Sequence, residues 1–68
     1  MDETLLRVQM VKHGDTQEKL ALAMGISLSR LNAKIKSNNA EFKQTEILFI
    51  KERYKLTAKE VNEIFFSN

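Results

Sequence analysis

Between Ser27 and Lys36 the chain reads "SLSRLNAKIK", a run of hydroxyl, amide and basic side chains with no carboxylate. On a helix turning about 100° per residue, with Leu31 at zero, Ile35 falls near 40° and Leu28 near 60°, toward a core; Asn32, Lys36, Ser29 and Ala33 fall at about 100°, 140°, 160° and 200°. The outward face is therefore short, polar and free of acid, with Arg30 and Lys34 flanking it where they would reach phosphates. A solvent-facing helix ordinarily mixes Glu with Lys, because opposite charges four residues apart support it. The later segments of this chain do so. A helix entering the DNA major groove has reason not to: a carboxylate repels phosphates, and small side chains let the backbone approach base edges. Ser and Asn both donate and accept, and Asn is shaped for a bidentate contact to adenine.

The elements that would hold this face are helices. The 68 residues include no proline and no cysteine, and strand-type alternation never persists. A chain this short forms one domain and buries only about 60% of the surface exposed when unfolded, which leaves little room for an enclosed active site. "ETLLRVQMVKH" places Leu6, Met10 and His13 along one side, with Leu5 and Val8 adjacent, and predicts a first helix over residues 3–13 that stops at Gly14. Asp15 and Thr16 are both good N-caps, and Asp15 with Glu18 has capping-box spacing. A second helix, 17–24, turns Leu20, Ala21 and Met24 inward and ends at Gly25. Ile26 plugs the turn, Ser27 is the next cap, and a third helix runs over about 28–36. "SNNAEF" reads as a loop. A fourth helix, about 44–54, repeats Ile47, Leu48, Ile50 and Tyr54, with Phe49 close by. Thr57 with Glu60 forms a capping box, and Leu56 with Val61 a hydrophobic staple. These open a fifth helix, 58–66, that buries Val61, Ile64 and Phe65. The fold class is all-α, five short helices around one core.

Charge supports the reading of the third helix. Residues 1–25 carry three bases against four acids, and residues 45–68 carry four of each. Residues 26–44 carry Arg30, Lys34, Lys36 and Lys43 against Glu41 alone. The net charge of +2 thus comes from one segment, a localised excess that suits a polyanionic partner.

"TQEKLALAMGISLSRLNAKIKS" resembles the helix-turn-helix of the Cro/lambda-repressor-like (Xre) family, in which "TQ" opens the first helix, an alanine follows a leucine where the helices pack, and a glycine makes the turn. The matching residues are Thr16, Gln17, Leu20, Ala21, Gly25, Ile26 and Leu31. The tail "EFKQTEILFIKERYKLTAKEVNEIFF" is similar to that of small phage-type regulators of Gram-positive bacteria. The resemblance implies a single five-helix DNA-binding domain over residues 1–68, with the helix-turn-helix at 17–36. Its third helix would lie in the major groove, and it would work as a homodimer on a palindromic double-stranded DNA operator without cofactor or metal. By position, Ser27, Leu28, Ser29, Asn32 and Ala33 approach bases. Thr16 and Gln17, with backbone donors at the helix N-terminus, and Arg30, Lys36, Asn38 and Lys43 hold phosphates. The family usually has an apolar residue where this chain has Lys34, and here Ile35 takes the burial one position later. Leu28 is either a core-edge residue, as the projection has it, or a contact for a thymine methyl.

The competing readings are specific. The same fold could bind a partner repressor and modulate it, using Leu28, Phe49 and Phe66 as apolar contacts. Phe65 and Phe66 point about 100° apart, so one can be buried while the other emerges, either as a dimer contact or packed over the first helix. His13 lacks a second histidine or any cysteine at ligand spacing, which favours a helix-ending histidine over a metal ligand. Met10 and Met24 read as core filler. No catalytic constellation can be assembled, so an enzyme is not expected. No apolar run approaches the roughly 18 residues of a membrane span, and "MDET" is acidic where a signal peptide is basic. The expectation is a cytoplasmic protein whose mature chain starts near Met1.

Overall fold

In the computed structural model, which describes residues 1–36 and 41–66, the chain forms α1 (Glu3–Lys12), α2 (Gln17–Met24), α3 (Leu28–Ile35), α4 (Gln44–Arg53) and α5 (Ala58–Phe65). Four of them start on a side-chain cap. Asp2 Oδ1 accepts from the Leu5 N–H at 3.0 Å. Thr16 Oγ1 accepts from Lys19 at 3.1 Å, and Ser27 Oγ from Arg30 at 3.1 Å. At α5 the capping box is reciprocal: the Glu60 N–H donates to Thr57 Oγ1 at 3.1 Å and the Thr57 N–H to Glu60 Oε1 at 2.9 Å. The expected box of Asp15 with Glu18 does not form. Thr16 alone caps α2, because Asp15 is drawn toward α4.

Three helices stop in the same way, with a residue of positive φ just past the last turn and two backbone bonds folding back onto it. After α1, Gly14 has φ 63°, its N–H reaching Val11 and that of Asp15 reaching Met10 at 2.8 Å. After α2, Gly25 has φ 73°, and the Ile26 N–H closes onto Ala21 at 3.0 Å. After α4 the position falls to Lys55, φ 52°, with Leu56 bonded to Lys51 at 2.8 Å. The glycines that punctuate the sequence therefore mark two stops, and the third was not visible as one.

The core gathers Leu6 and Met10 from α1, Leu20 and Ala21 from α2, Leu31 and Ile35 from α3, Ile50 from α4, Tyr54 and Leu56 from the turn after it, and Ile64 from α5. Met24, Ile26, Val61 and Phe65 pack around it. α2 packs on α3, and both α1 and α4 pack on α5. The Asp2 N–H donates to the Ile64 carbonyl at 2.7 Å, tying the start of α1 to the end of α5. Phe42 meets Phe65 edge to face, ring centres 5.5 Å apart. Leu48 departs from the expected apolar repeat at 52% exposed: α4 buries the stripe of Ile47, Ile50 and Tyr54, and position 48 lies about 100° round from 47. Leu5 and Val8 are likewise exposed. Among the described residues no helix is long and apolar enough to cross a membrane.

Candidate nucleic-acid interface

The pair of helices α2 and α3 is set by three side chains and one backbone angle. Ala21 is buried on the inner side of α2, where a single methyl leaves room for close approach, and Gly25 turns the chain without the steric cost a Cβ incurs at positive φ. Ile26 leaves the turn to pack on the core. Ser27 then caps α3. The start of α2 is fixed from a distance: Asp15, whose side chain is 3% exposed, accepts from Arg53 Nε at 2.8 Å and Nη2 at 3.1 Å and from the Tyr54 hydroxyl. The Thr16 N–H adds a bond of 3.0 Å to the same carboxylate. The Arg53 guanidinium, against the opposing effect of burial and with help from Tyr54 and Thr16, holds the Asp15 carboxyl down at about 2. Burial and the Asp15 charge push the Tyr54 phenol up, and His13 stacks on that ring with centres 5.2 Å apart.

α3 is rotated relative to the sequence projection. The buried residues are Leu31, Lys34 and Ile35, so the buried arc is centred close to Leu31, roughly 40° from the arc that would include Leu28. Lys34 was expected to flank the outward face and reach phosphate. Instead it is 4% exposed, and its Nζ donates to Glu46 Oε1 and to the Glu41 carbonyl, each at 3.0 Å. The reason is a waiting pair of acceptors at the start of α4, which satisfies an ammonium that burial would otherwise penalise. The same rotation resolves Leu28, which is 44% exposed and no core-edge residue.

Ser27, Ser29 and Arg30 are exposed, Asn32 and Ala33 half-buried, and Lys36 is exposed at the C-cap. Of the Ser27 hydroxyl, the oxygen is spent on the cap and the hydrogen is left to donate. Thr16 and Lys43 are exposed, at the N-caps of α2 and α4. Gln17 is half-buried, and with its amide oriented to satisfy both groups its carbonyl accepts from the two terminal nitrogens of Arg7 at 3.1 and 3.0 Å. Asn38 lies outside the described residues. With Lys34 engaged by Glu46, the exposed bases of this segment are Arg30, Lys36 and Lys43, against Glu41.

Two contributors were missed in the sequence. Arg7 stands beside Gln17 at the head of α2 and is itself held by Glu3 at 2.8 Å; the four-residue spacing of Glu3 and Arg7 is legible, the approach to Gln17 is not. Asp15, Arg53 and Tyr54 are brought together across 38 residues, and no local signal announces it. Phe66 is 60% exposed, at the edge of a shallow groove between α4 and α5 lined by Ile47, Leu48, Lys51 and Val61.

The structure thus defines a small all-helical domain with a polar, acid-free helix face. Comparison with protein-family models, curated proteins and solved structures finds no match.

Proposed function

We propose that this chain is a sequence-specific DNA-binding transcriptional regulator of Cro type, a repressor or genetic-switch protein that seats α3 in the major groove. The observation that carries the reading is the outward side of α3, where Ser27, Leu28, Ser29, Arg30 and Lys36 are exposed with Asn32 and Ala33 between them and no carboxylate among them. Its first turn contains no acid, so the partial positive charge of the helix N-terminus is left for an external anion. Ser29 and Asn32 read base edges, and Leu28 meets a thymine methyl. Thr16, Gln17, Arg30, Lys36 and Lys43 hold the backbone, joined by Arg7. Two copies join through Phe66 and the groove between α4 and α5 to read a palindrome.

The test is a fluorescence-anisotropy titration on operator candidates at several salt concentrations. Affinity falls with salt at a slope of about −0.9 per phosphate neutralised. Asn32→Ala lowers the preference for the correct base by about 10- to 100-fold, as expected for a bidentate contact. Lys36→Ala weakens all sequences alike and lowers the salt slope by about 1. If both variants keep the parent's sequence preference, α3 is not the reader.

A second reading is that the same fold binds another repressor and modulates it, favoured by the exposed apolar side chains Leu28, Leu48, Phe49 and Phe66. Absence of DNA binding at low salt, with tight association to a second repressor, selects it.

A further inference from the structure

Lys34 is a charged residue at one edge of the buried stripe of α3, whose other members are Leu31 and Ile35. Its ammonium reaches Glu46 Oε1, in the first turn of α4, and the Glu41 carbonyl just before that helix. The same Glu46 oxygen accepts from the Lys43 N–H at 2.7 Å. One carboxylate oxygen therefore closes the N-terminus of α4 and anchors α3 to it. Burial pushes the Glu46 carboxyl up, but the Lys43 N–H and the Lys34 ammonium outweigh it and the net shift is downward. The Glu46 side chain is 16% exposed, so the pair is largely shielded from water.

We propose that the Lys34–Glu46 pair is a positioning device that fixes the rotation of α3 about its own axis, and with it which side chains of α3 face outward. Apolar packing alone does not fix that angle closely: burial of Leu31 and Ile35 is non-directional and follows the area removed from water, so a modest turn that keeps both side chains covered changes it little. A lysine ammonium lies on the order of 8 Å from its helix axis, so a 20° turn displaces it by almost 3 Å. Both of its hydrogen bonds are then broken, since such bonds weaken steeply beyond about 3.2 Å. The same turn moves the tips of Ser29 and Asn32 by about 2 Å, more than a base-edge hydrogen bond tolerates. Leu31 and Ile35 make contacts that a turned helix could re-form; Lys34 does not. An apolar residue at position 34 would fill the space and leave the angle loose.

The functional part of this inference rests on the DNA-binding reading, and the experiment separates the two. Lys34→Met keeps an unbranched side chain, one atom shorter, and removes the charge. In the free full-length protein, residual dipolar couplings give the orientation of α3 relative to α4. The variant is expected to show a rotation of α3 about its own axis of about 10° or more, enough to carry position 34 out of hydrogen-bond register with α4, or exchange broadening confined to residues 28–35. On a DNA duplex that the parent binds specifically, the ratio of specific to non-specific affinity is expected to fall about tenfold or more while non-specific affinity and its salt slope stay put, a pattern that loss of stability alone does not give. Couplings that superimpose on those of the parent overturn the proposal, as does an unchanged ratio in a reoriented variant. If the parent shows no sequence preference on any DNA, it is the DNA reading that fails, and the couplings alone decide whether the pair sets the angle. Glu46→Gln, which keeps an acceptor and removes the charge, serves if Lys34→Met does not fold; a smaller change of the same kind supports the proposal and parental couplings overturn it.

Discussion

Asp15 holds a negative charge out of water where the α1–α2 turn meets the end of α4, and four hydrogen bonds from Thr16, Arg53 and Tyr54 keep it there. Its carboxyl titrates at about 2, against an ordinary 3.8. A carboxylate depressed in the folded state contributes stability above its unfolded pKa and loses it as pH falls through the folded one. The thermal midpoint is therefore expected to drop between about pH 4 and pH 2, with Glu46 and Glu60, also lowered, adding in the same direction. Asp15→Asn removes the charge and should cost about 2 kcal/mol at pH 7, since bonds to charged groups are worth about 1.5–3 kcal/mol each. In a domain of this size that lowers the midpoint by about 10 °C. The difference between variant and parent should shrink as pH falls below about 4 and be mostly gone by about pH 2, where the native carboxyl is half protonated, and calorimetry across that range is the check. A constant difference would mean that shape, and not charge, is what Asp15 contributes.

The helix stops make opposite predictions at equivalent positions. Lys55 occupies the left-handed region after α4 that glycine occupies after α1 and α2. A side chain there is strained, so Lys55→Gly is expected to stabilise the fold by about 0.5–1 kcal/mol even though glycine gives the unfolded chain more freedom. Gly25→Ala should destabilise it by about 1 kcal/mol. A Cβ at Gly25 meets no atom within 4 Å, so that cost comes from the backbone angle alone. Urea titrations of the two variants report both signs. The α2–α3 turn also shows why an element is more than its propensity: α3 has a side-chain cap but no acid in its first turn, giving up dipole stabilisation that α5 takes from Glu60.

At the scale of the whole molecule, and on the DNA-binding reading proposed above, extents of 28 × 26 × 21 Å suit one half-site each for two copies set about 34 Å apart along one face of DNA, the spacing of successive half-sites. Such a pair needs a self-complementary contact, because a two-fold interface applies the same patch twice. Phe66 beside the α4–α5 groove supplies a projection and a recess on one surface. Phe66→Glu is expected to abolish any dimer seen by sedimentation. It should also lower affinity for a palindrome by about 10- to 100-fold through lost effective concentration, leaving half-site binding intact. A dimer that survives the substitution places the interface elsewhere.

The five helices were legible in the chain because caps and stops are local chemistry: Thr16, Ser27 and Thr57 each cap within three residues, and Gly14 and Gly25 each end a turn whatever surrounds them. Most of the core was legible too, since burial repeats with the helical period. The rotation of α3 was not. It depends on Glu46, twelve residues away, offering Lys34 an acceptor, and the wheel assigns a lysine to the surface because it carries no knowledge of what waits on the other side. Asp15 was misread for the same reason: its local partner, Glu18, lost to Arg53 and Tyr54, which only folding brings within reach. The sequence by itself determined where each helix begins and where most of them end; the tertiary structure decided which way α3 faces and where its charges are spent, because a charge taken out of water needs a partner that replaces its lost hydration, and that partner is distant in the chain.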